Sequence, residues 1–390
     1  MNRNGFLSLI SPEGQALLAE IGEIDSKADM VKIVSKLRGK GHPAELVATV
    51  LTQIKLRRRA KAKFGEFADR MFFTEEGLEQ ASRLKVAAIH AGRFRDQKLT
   101  SIADLGCGIG AETLAFASLD MNVTAYELDE VTAAIATYNL AGFENVKVEH
   151  ADVTEVSLDP FDGLFIDPAR RDLKDSTTNI NKRKYDINDF SPSFDFVLEA
   201  AKLKPTIVKL GPGLDHKDIP EDAEAVWVSD DGDLVELTLY FGVLRRKEVK
   251  RAALLLSPKG SFEITSSQSE RVDAPLGELG KYLYEPDAAV IRSHLVGDLA
   301  IELGLGNEEL SSPWLKGYEV LENLVFDRKK LKAYLREKKI GTLEIKKRGA
   351  DITPEQLRRE LDPKGPESAT LIVTRVEGAH RVLVVKPLNK

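Results

Sequence analysis

A single cysteine, Cys107, stands among 390 residues. One thiol cannot close an intramolecular disulfide or build an all-cysteine zinc or iron–sulfur site, and such sparse use fits a reducing cytosol. No apolar run reaches the eighteen residues that a membrane-crossing helix needs. Met1 to Ile10 lacks the basic-then-apolar layout of a secretory signal. The expected location is therefore cytoplasmic. No spacing of His, Asp and Glu suggests a metal site. What is present is ordinary for a globular chain: 43% hydrophobic and 30% charged residues, at a length that suits two or three domains.

The formal net charge of −6 conceals an asymmetry. Residues 1–100 carry 18 basic and 12 acidic side chains, residues 101–320 carry 21 and 40, and residues 321–390 carry 17 and 10. Two basic ends flank an acidic middle. That arrangement points weakly to an anionic partner at the ends, against solvated helices as the plain explanation.

Residues 1–95 read as helical. Pro12 to Gly22 and Lys27 to Arg38 space their apolar residues as helices do. Pro43 opens another helix with Leu46, Val50, Ile54 and Leu56 on one face, ending in Lys55, Arg57, Arg58, Arg59, Lys61 and Lys63. A lone basic cluster of this kind is most simply a solvated face. One further helix is expected over Thr74–Ala91, with Thr74 as N-cap. From residue 96 to 247 short apolar runs alternate with helical stretches, which argues for a mostly parallel α/β sheet covered on both faces. The runs are Ser101–Leu105, Asn122–Glu127, Val146–His150, Gly163–Asp167, Thr206–Leu210, Ala225–Val228 and Leu234–Val243. The last two are joined by only Ser229 to Asp233 and read as antiparallel neighbours. Residues 248–318 read as a small α+β segment with a hairpin around Pro258-Lys259-Gly260 and a helix over 287–303. Residues 319–390 read as another, with a basic helix at 327–338, a strand at 342–347, a helix at 354–361 and a hairpin around Glu377-Gly378.

The chemistry concentrates at Asp104-Leu105-Gly106-Cys107-Gly108-Ile109-Gly110, where a strand meets a glycine loop and then a helix. Such a loop lets a ligand approach the backbone. The glycine pattern alone also satisfies the dinucleotide fingerprint. Asp104, two residues before Gly106, decides against it: a carboxylate there repels a pyrophosphate and suits an ammonium. S-adenosylmethionine has an ammonium, a sulfonium and no phosphate. Glu127 closes the second strand, 17 residues past Gly110, where it can accept from both ribose hydroxyls. Asp152, after the third strand, can take an adenine amino group; its plain alternative is a loop-opening cap. The fourth strand ends in Asp167-Pro168-Ala169-Arg170-Arg171. Proline restricts Asp167 to an extended shape, at the carboxyl edge where open α/β sheets bind ligands. Asp167 can accept a proton from a nucleophile. Arg170 and Arg171 can hold a phosphate or carboxylate. The expected catalytic residues are Asp167 and Arg170. His216 can serve as a base but reads more simply as a solvated loop residue.

Taken in order, the Asp-x-Gly-x-Gly-x-Gly loop, Glu127, Asp152 and Asp167-Pro168 resemble the motifs of class I S-adenosylmethionine-dependent methyltransferases over residues 75–245. The resemblance implies S-adenosyl-L-methionine as cofactor and a Rossmann-like seven-stranded sheet whose last strand is antiparallel. Within that class, Phe72-Phe73-Thr74-Glu75-Glu76-Gly77, the Asp-Pro-Ala-Arg-Arg loop, Lys209-Leu-Gly-Pro-Gly-Leu-Asp-His216 and the basic tail resemble a bacterial family. Its members carry a ferredoxin-like insert and a THUMP-like C-terminal domain, here residues 248–318 and 319–390. The resemblance implies that Phe73 and Thr74 fold over the cofactor, which makes the cofactor set Phe73, Thr74, Asp104, Gly106, Gly108, Gly110, Glu127, Asp152 and Asp167. THUMP domains of RNA-modifying enzymes bind structured RNA, so the expected activity is methylation of tRNA or rRNA.

One departure bears on the reaction. Enzymes that methylate exocyclic base amines carry a second proline and an aromatic after the acidic residue, and the aromatic stacks on a flipped base. Here Ala169 and Arg170 stand in those places. Cysteine-dependent C5 methylation is also disfavoured, because Cys107 lies in the cofactor loop. Two alternatives stay open: an RNA-binding protein that holds S-adenosylmethionine without catalysis, and a methyltransferase acting on a small molecule or a protein.

Overall fold

A computed structural model describes residues 1–22, 27–170, 187–274, 277–304, 310, 312–348, 352–376 and 378–388, the side chains of 27–31, 170 and 188 excepted. The chain forms two compact units, one of residues 1–225 with 236–247, the other of 226–235 with 248–390.

The first unit begins with α1 (Arg3–Ile10), α2 (Pro12–Ile21), α3 (Lys27–Gly39) and α4 (Ala44–Phe64). The sequence pattern passes over α1, which is too short to show a period. Ser11 separates α1 from α2 and caps the latter, its hydroxyl accepting from the Gly14 amide at 3.1 Å. Leu46, Val50, Ile54 and Leu56 of α4 are all buried, as their spacing requires. The stretch expected as one helix from Thr74 is two, α5 (Glu75–Gln80) and α6 (Leu84–Asp96). Ala81 and Arg83 both adopt ψ near 135–138°, outside the helical range. Thr74 does cap α5, accepting from the Gly77 amide at 2.9 Å.

Behind the helices lies a sheet of β1 (Ser101–Leu105), β2 (Asn122–Glu127), β3 (Val146–His150), β4 (Gly163–Ile166), β5 (Thr206–Leu210), β6 (Glu224–Asp230) and β7 (Asp233–Tyr240). These seven belong to a nine-stranded sheet, in which they run in the order β3-β2-β1-β4-β5-β7-β6. The ladders from β3 through β5 are parallel and β7 is antiparallel to β5. This is the expected α/β sheet with one reversed strand. Between the parallel strands run α7 (Ala111–Ala117), α8 (Glu130–Leu140) and α9 (Phe194–Leu203). Among the described residues, the helical segment 1–95 shares its core with the sheet layer. Leu17, Val50, Phe64, Phe72 and Phe73 share one apolar cluster with Ile109, Leu114, Ala136 and Leu140 of the sheet layer. The N-terminal helices therefore brace the loop that follows β1.

The second unit contains the hairpin β8 (Arg251–Ser257) and β9 (Gly260–Ser266), then α10 (Ala288–Arg292) and α11 (Val296–Leu303), two helices where one was expected. A further sheet has β10 (Tyr282–Pro286), β11 (Leu315–Val325), β12 (Ile340–Lys347), β13 (Glu367–Val376) and β14 (Ala379–Pro387), in the order β10-β11-β14-β13-β12. Two helices, α12 (Arg328–Glu337) and α13 (Pro354–Leu361), bury Leu331, Leu335, Leu357 and Leu361 against Ile345, Leu371 and Val382. The segment boundary expected at 318/319 falls inside β11. Because β10 pairs with β11, residues 282–286 join the C-terminal sheet. Among the described residues no helix is long and apolar enough to cross a membrane.

Candidate active site

The loop after β1 is built on left-handed glycines. Gly106 has φ +92° and Gly110 has φ +91°, a region that other residues enter only under strain. A Cβ on Gly106 would sit 3.0 Å from the Asp167 carbonyl oxygen, and one on Gly110 would sit 2.8 Å from Leu140. These contacts bring the loop against the end of β4 on one side and α8 on the other. The Gly106 and Cys107 amides both donate to the Tyr126 carbonyl, at 3.0 and 2.9 Å. Nothing lies within 4 Å of a Cβ built on Gly108, so the loop is open there. Cys107 is buried in the shared apolar cluster, where it acts as a small packing residue.

Asp104 is fully buried. One oxygen accepts from the Thr113 hydroxyl at 2.5 Å, and the other has no hydrogen-bond partner among the described residues. Burial pushes this carboxyl up to about 8; Thr113 opposes the shift, and the charges of Glu112 and Asp167 add to it. A buried polar atom left without a partner calls for an explanation, and a bound group is one that can supply it. Glu127, half-buried at the end of β2, accepts from the Gly108 amide at 3.0 Å and the Asp129 amide at 2.9 Å. It is thereby aimed along the glycine loop.

Asp167 follows β4, with its amide bonded to the Leu105 carbonyl at 3.2 Å. Its carboxylate accepts from the Lys209 ammonium at 2.6 Å, and Lys209 also donates to the Gln80 carbonyl at 3.0 Å. Lys209 lies on β5, beside β4, so the register of adjacent parallel strands creates the pair. Burial raises the Asp167 carboxyl from its ordinary value and Lys209 opposes it. The side chain keeps 32% of its surface, so solvent screens part of that influence. For Lys209, burial alone disfavours the charge, but Asp167 and Glu236 outweigh it and hold the ammonium above its ordinary value.

Beneath the pair lies a second group that the sequence reading missed. His90 of α6 is fully buried, with Nδ1 3.1 Å from Glu112 and Nε2 3.1 Å from Glu236. Burial disfavours a charged ring, yet the two carboxylates outweigh it and push His90 up to about 10. An imidazolium therefore sits between two buried acids. The Thr238 hydroxyl donates to Glu236 at 2.9 Å.

The remaining expected residues fall in different places. Phe73 is fully buried and its ring packs 5.4 Å from Phe64. Its amide and carbonyl are both taken by Gln53, at 3.0 and 2.6 Å. Its side chain thus belongs to the helical core and supports the loop from behind. Thr74 acts as the cap of α5. Asn139 ties the same segment to the loop, donating to the Ile109 carbonyl at 3.0 Å and the Phe72 carbonyl at 3.1 Å. Asp152 is exposed and caps the turn 153–155, accepting from the Thr154 amide and hydroxyl at 2.9 and 2.7 Å. The backbone of Arg170 pairs with Phe190; its side chain and the whole of Arg171 lie outside the described residues. The basic cluster of α4 is only partly a solvated face. Arg57 donates to the Met71 carbonyl, and Lys63 donates to the carbonyls of Leu78, Glu79 and Ala81. Both therefore anchor the segment that borders the glycine loop.

A group with a cationic amino-acid end, a ribose and no phosphate fits these residues. The orphan oxygen of Asp104, the open face of Gly108 and the carboxylate of Glu127 lie along one edge of the sheet. Comparison with known proteins decides the family. An uncharacterized S-adenosylmethionine-dependent methyltransferase of Mycobacterium tuberculosis (strain CDC 1551 / Oshkosh) is 31% identical over 351 residues, covering 85% of this chain and 92% of the relative. The chain belongs to the S-adenosylmethionine-dependent methyltransferases. The protein of strain H37Rv with the same description matches to the same extent. The methyltransferase shares its fold with a proposed methyltransferase from Porphyromonas gingivalis W83, whose crystal structure superposes with a TM-score of 0.70 at 20% identity, over 94% of this chain and all of that one. Residues 315–387 of the methyltransferase match the family described as THUMP domain-like, and residues 3–60 match a domain of unknown function.

Proposed function

We infer that this methyltransferase acts on RNA, either tRNA or rRNA, in the cytoplasm. The observation that carries the reading is the basic outer face of the THUMP-like unit. Helix α12 buries Leu331 and Leu335 and leaves Arg328, Lys329, Lys330 and Arg336 exposed. Lys338 and Lys339 continue the face beyond its end. Such a surface meets a phosphate backbone, and THUMP domains of RNA-modifying enzymes bind structured RNA. The cytoplasmic assignment is supported by the single buried cysteine.

When bound, S-adenosylmethionine supplies an electrophilic methyl group on a positively charged sulfur. The residues of the chain hold and orient the reactants. Asp104 receives the ammonium at its orphan oxygen. Gly106, Gly108 and Gly110 allow close backbone approach. Glu127 would accept from the ribose hydroxyls, and Asp152 would take the adenine amino group. Phe73 and Thr74 fix the wall behind the loop. Asp167 meets the acceptor and Arg170 steadies its phosphate. Catalysis of this kind is largely positioning of acceptor and methyl in line.

The test is methyl transfer from labelled cofactor to total RNA from a strain lacking this protein, with wild-type RNA beside it. Label entering only the RNA of the deletion strain is the expected result. No label in either RNA, from protein that binds the cofactor, would refute the reading. Raising the salt separates RNA from a small uncharged acceptor, because phosphate contacts weaken steeply with salt.

A further inference from the structure

The Asp167–Lys209 pair narrows the kind of atom that can be methylated. The two residues leave the carboxyl ends of adjacent parallel strands, β4 and β5, in the ligand-binding position of an open sheet. Their 2.6 Å contact uses one carboxylate oxygen. Lys209 gives a second proton to the Gln80 carbonyl. Its third donor has no acceptor among the described residues. Asp167 is the more open partner, with 32% of its side-chain surface exposed against 13% for Lys209. The pair therefore presents, at the carboxyl end of the sheet, a carboxylate oxygen backed by a fixed ammonium.

We propose that the acceptor is a hydroxyl, the ribose 2′-hydroxyl of RNA, with Asp167 accepting its proton and Lys209 stabilising the oxyanion. The proposal rests on the RNA reading given above. A neutral amine becomes positive as it attacks a methyl carbon, and a fixed ammonium beside it opposes that change. A hydroxyl oxygen becomes negative as it loses its proton, and the same ammonium favours it. Lys209 stays charged because Asp167, Glu236 and Glu112 surround it, while His90 occupies the two glutamates and leaves Asp167 to the lysine. Asp104 on β1 is the other acid near Asp167. The loop agrees. Ala169 is exposed and is held in a short ladder with Ser191, where enzymes of exocyclic amines place the second proline. A ribose hydroxyl needs no extruded base and no stacking platform.

The step balances without an oxidant or reductant. The oxygen–hydrogen bond breaks as the oxygen–carbon bond forms and the carbon–sulfur bond breaks. The proton passes to the free oxygen of Asp167 and then to solvent. The electron pair of the broken bond returns to sulfur and cancels its charge. The products are a methyl ether, a neutral thioether and one proton.

The experiment is digestion of the labelled RNA to nucleosides, with a parallel alkaline hydrolysis. A 2′-O-methyl group blocks cleavage of the neighbouring phosphodiester, so label is expected in alkali-resistant dinucleotides and in 2′-O-methylnucleosides. Label in methylated bases would overturn the hydroxyl assignment and leave the RNA reading standing. Label absent from RNA would overturn both. Lys209→Met should lower kcat by about a hundredfold, the scale of losing one oxyanion donor, with cofactor Kd within about threefold. Lys209→Arg should restore a large part of that loss. A Lys209→Met enzyme with kcat within about threefold of wild type would also overturn the proposal.

Discussion

Asp104 makes a quantitative prediction about how this enzyme takes up its cofactor. The carboxyl is fully buried, has no hydrogen-bond partner at one oxygen among the described residues and is pushed up to about 8. At pH 7 only about a tenth of the free protein carries this group ionised, and at pH 6 about a hundredth. If the ionised form receives the ammonium, affinity should rise about eightfold from pH 6 to pH 7, the α-amino group itself staying mostly protonated over that range. Each binding event should release close to one proton, which calorimetry in two buffers of different ionisation enthalpy measures directly. Asp104→Asn should weaken binding by roughly a hundredfold or more, the scale of removing one partner of a buried charge pair, and should flatten the pH dependence. The same burial acts on stability with the opposite sign. The unfolded chain ionises Asp104 near 4 and the folded chain near 8, so stability falls as pH rises between them, by on the order of 5 kcal/mol in all. Asp104→Asn should accordingly raise the melting temperature of the cofactor-free protein at pH 8. An affinity that is flat from pH 6 to 7, or an Asp104→Asn protein that binds as tightly as wild type, would refute the assignment.

Gly106→Ala should lower stability by about 1–3 kcal/mol, because its φ of +92° and the nearby Asp167 carbonyl leave no room for a methyl group; thermal melting and cofactor titration should both report the loss. His90→Gln should destabilise by about 3–5 kcal/mol, since it leaves Glu112 and Glu236 buried without their cation. The contribution of His90 is fully present below the unfolded value near 6.5 and is lost as pH rises through about 10. The gap in melting temperature between wild type and variant should therefore narrow from pH 7 to pH 10, and a constant gap would contradict the imidazolium. Replacing Lys329, Lys330 and Arg336 together by Gln should reduce the slope of log affinity for RNA against log salt by about two, while cofactor affinity stays unchanged.

Much of this site is legible in the sequence because it is local. Asp104, Gly106, Gly108 and Gly110 lie in one strand-loop-helix turn, and Asp167-Pro168 declares the end of β4. The alternation of runs from 101 to 243 places these turns at one sheet edge without any tertiary information. The charges that act on Asp167 are of another kind. Lys209 is 42 residues from it, and His90 meets Thr238 across 148; only the order of the strands makes these pairs. Lys209 does appear in the motif that runs to His216, yet nothing in the spacing tells which side chain it will face. The α4 cluster shows a second limit. Arg57 and Lys63 look like their neighbours in sequence, but they face the carbonyls of 71–81 because α4 packs against that segment. The break between α5 and α6 carries no proline and no glycine, so periodicity alone runs through it. The 318/319 boundary misses β11 because β10 and β11 are separated by two helices, and pairing across such a gap leaves no local mark.

The central claim is that Asp167, beside a bound cofactor, directs methyl transfer to RNA. The most direct measurement is single-turnover transfer from labelled S-adenosylmethionine to deletion-strain RNA by wild type and Asp167→Asn, with cofactor Kd measured on both. The account predicts label in RNA from wild type, a rate at least about a hundredfold lower for the variant, and the same cofactor affinity within about threefold. Equal rates for the two proteins, or no transfer to RNA by a wild type that binds cofactor, would contradict it.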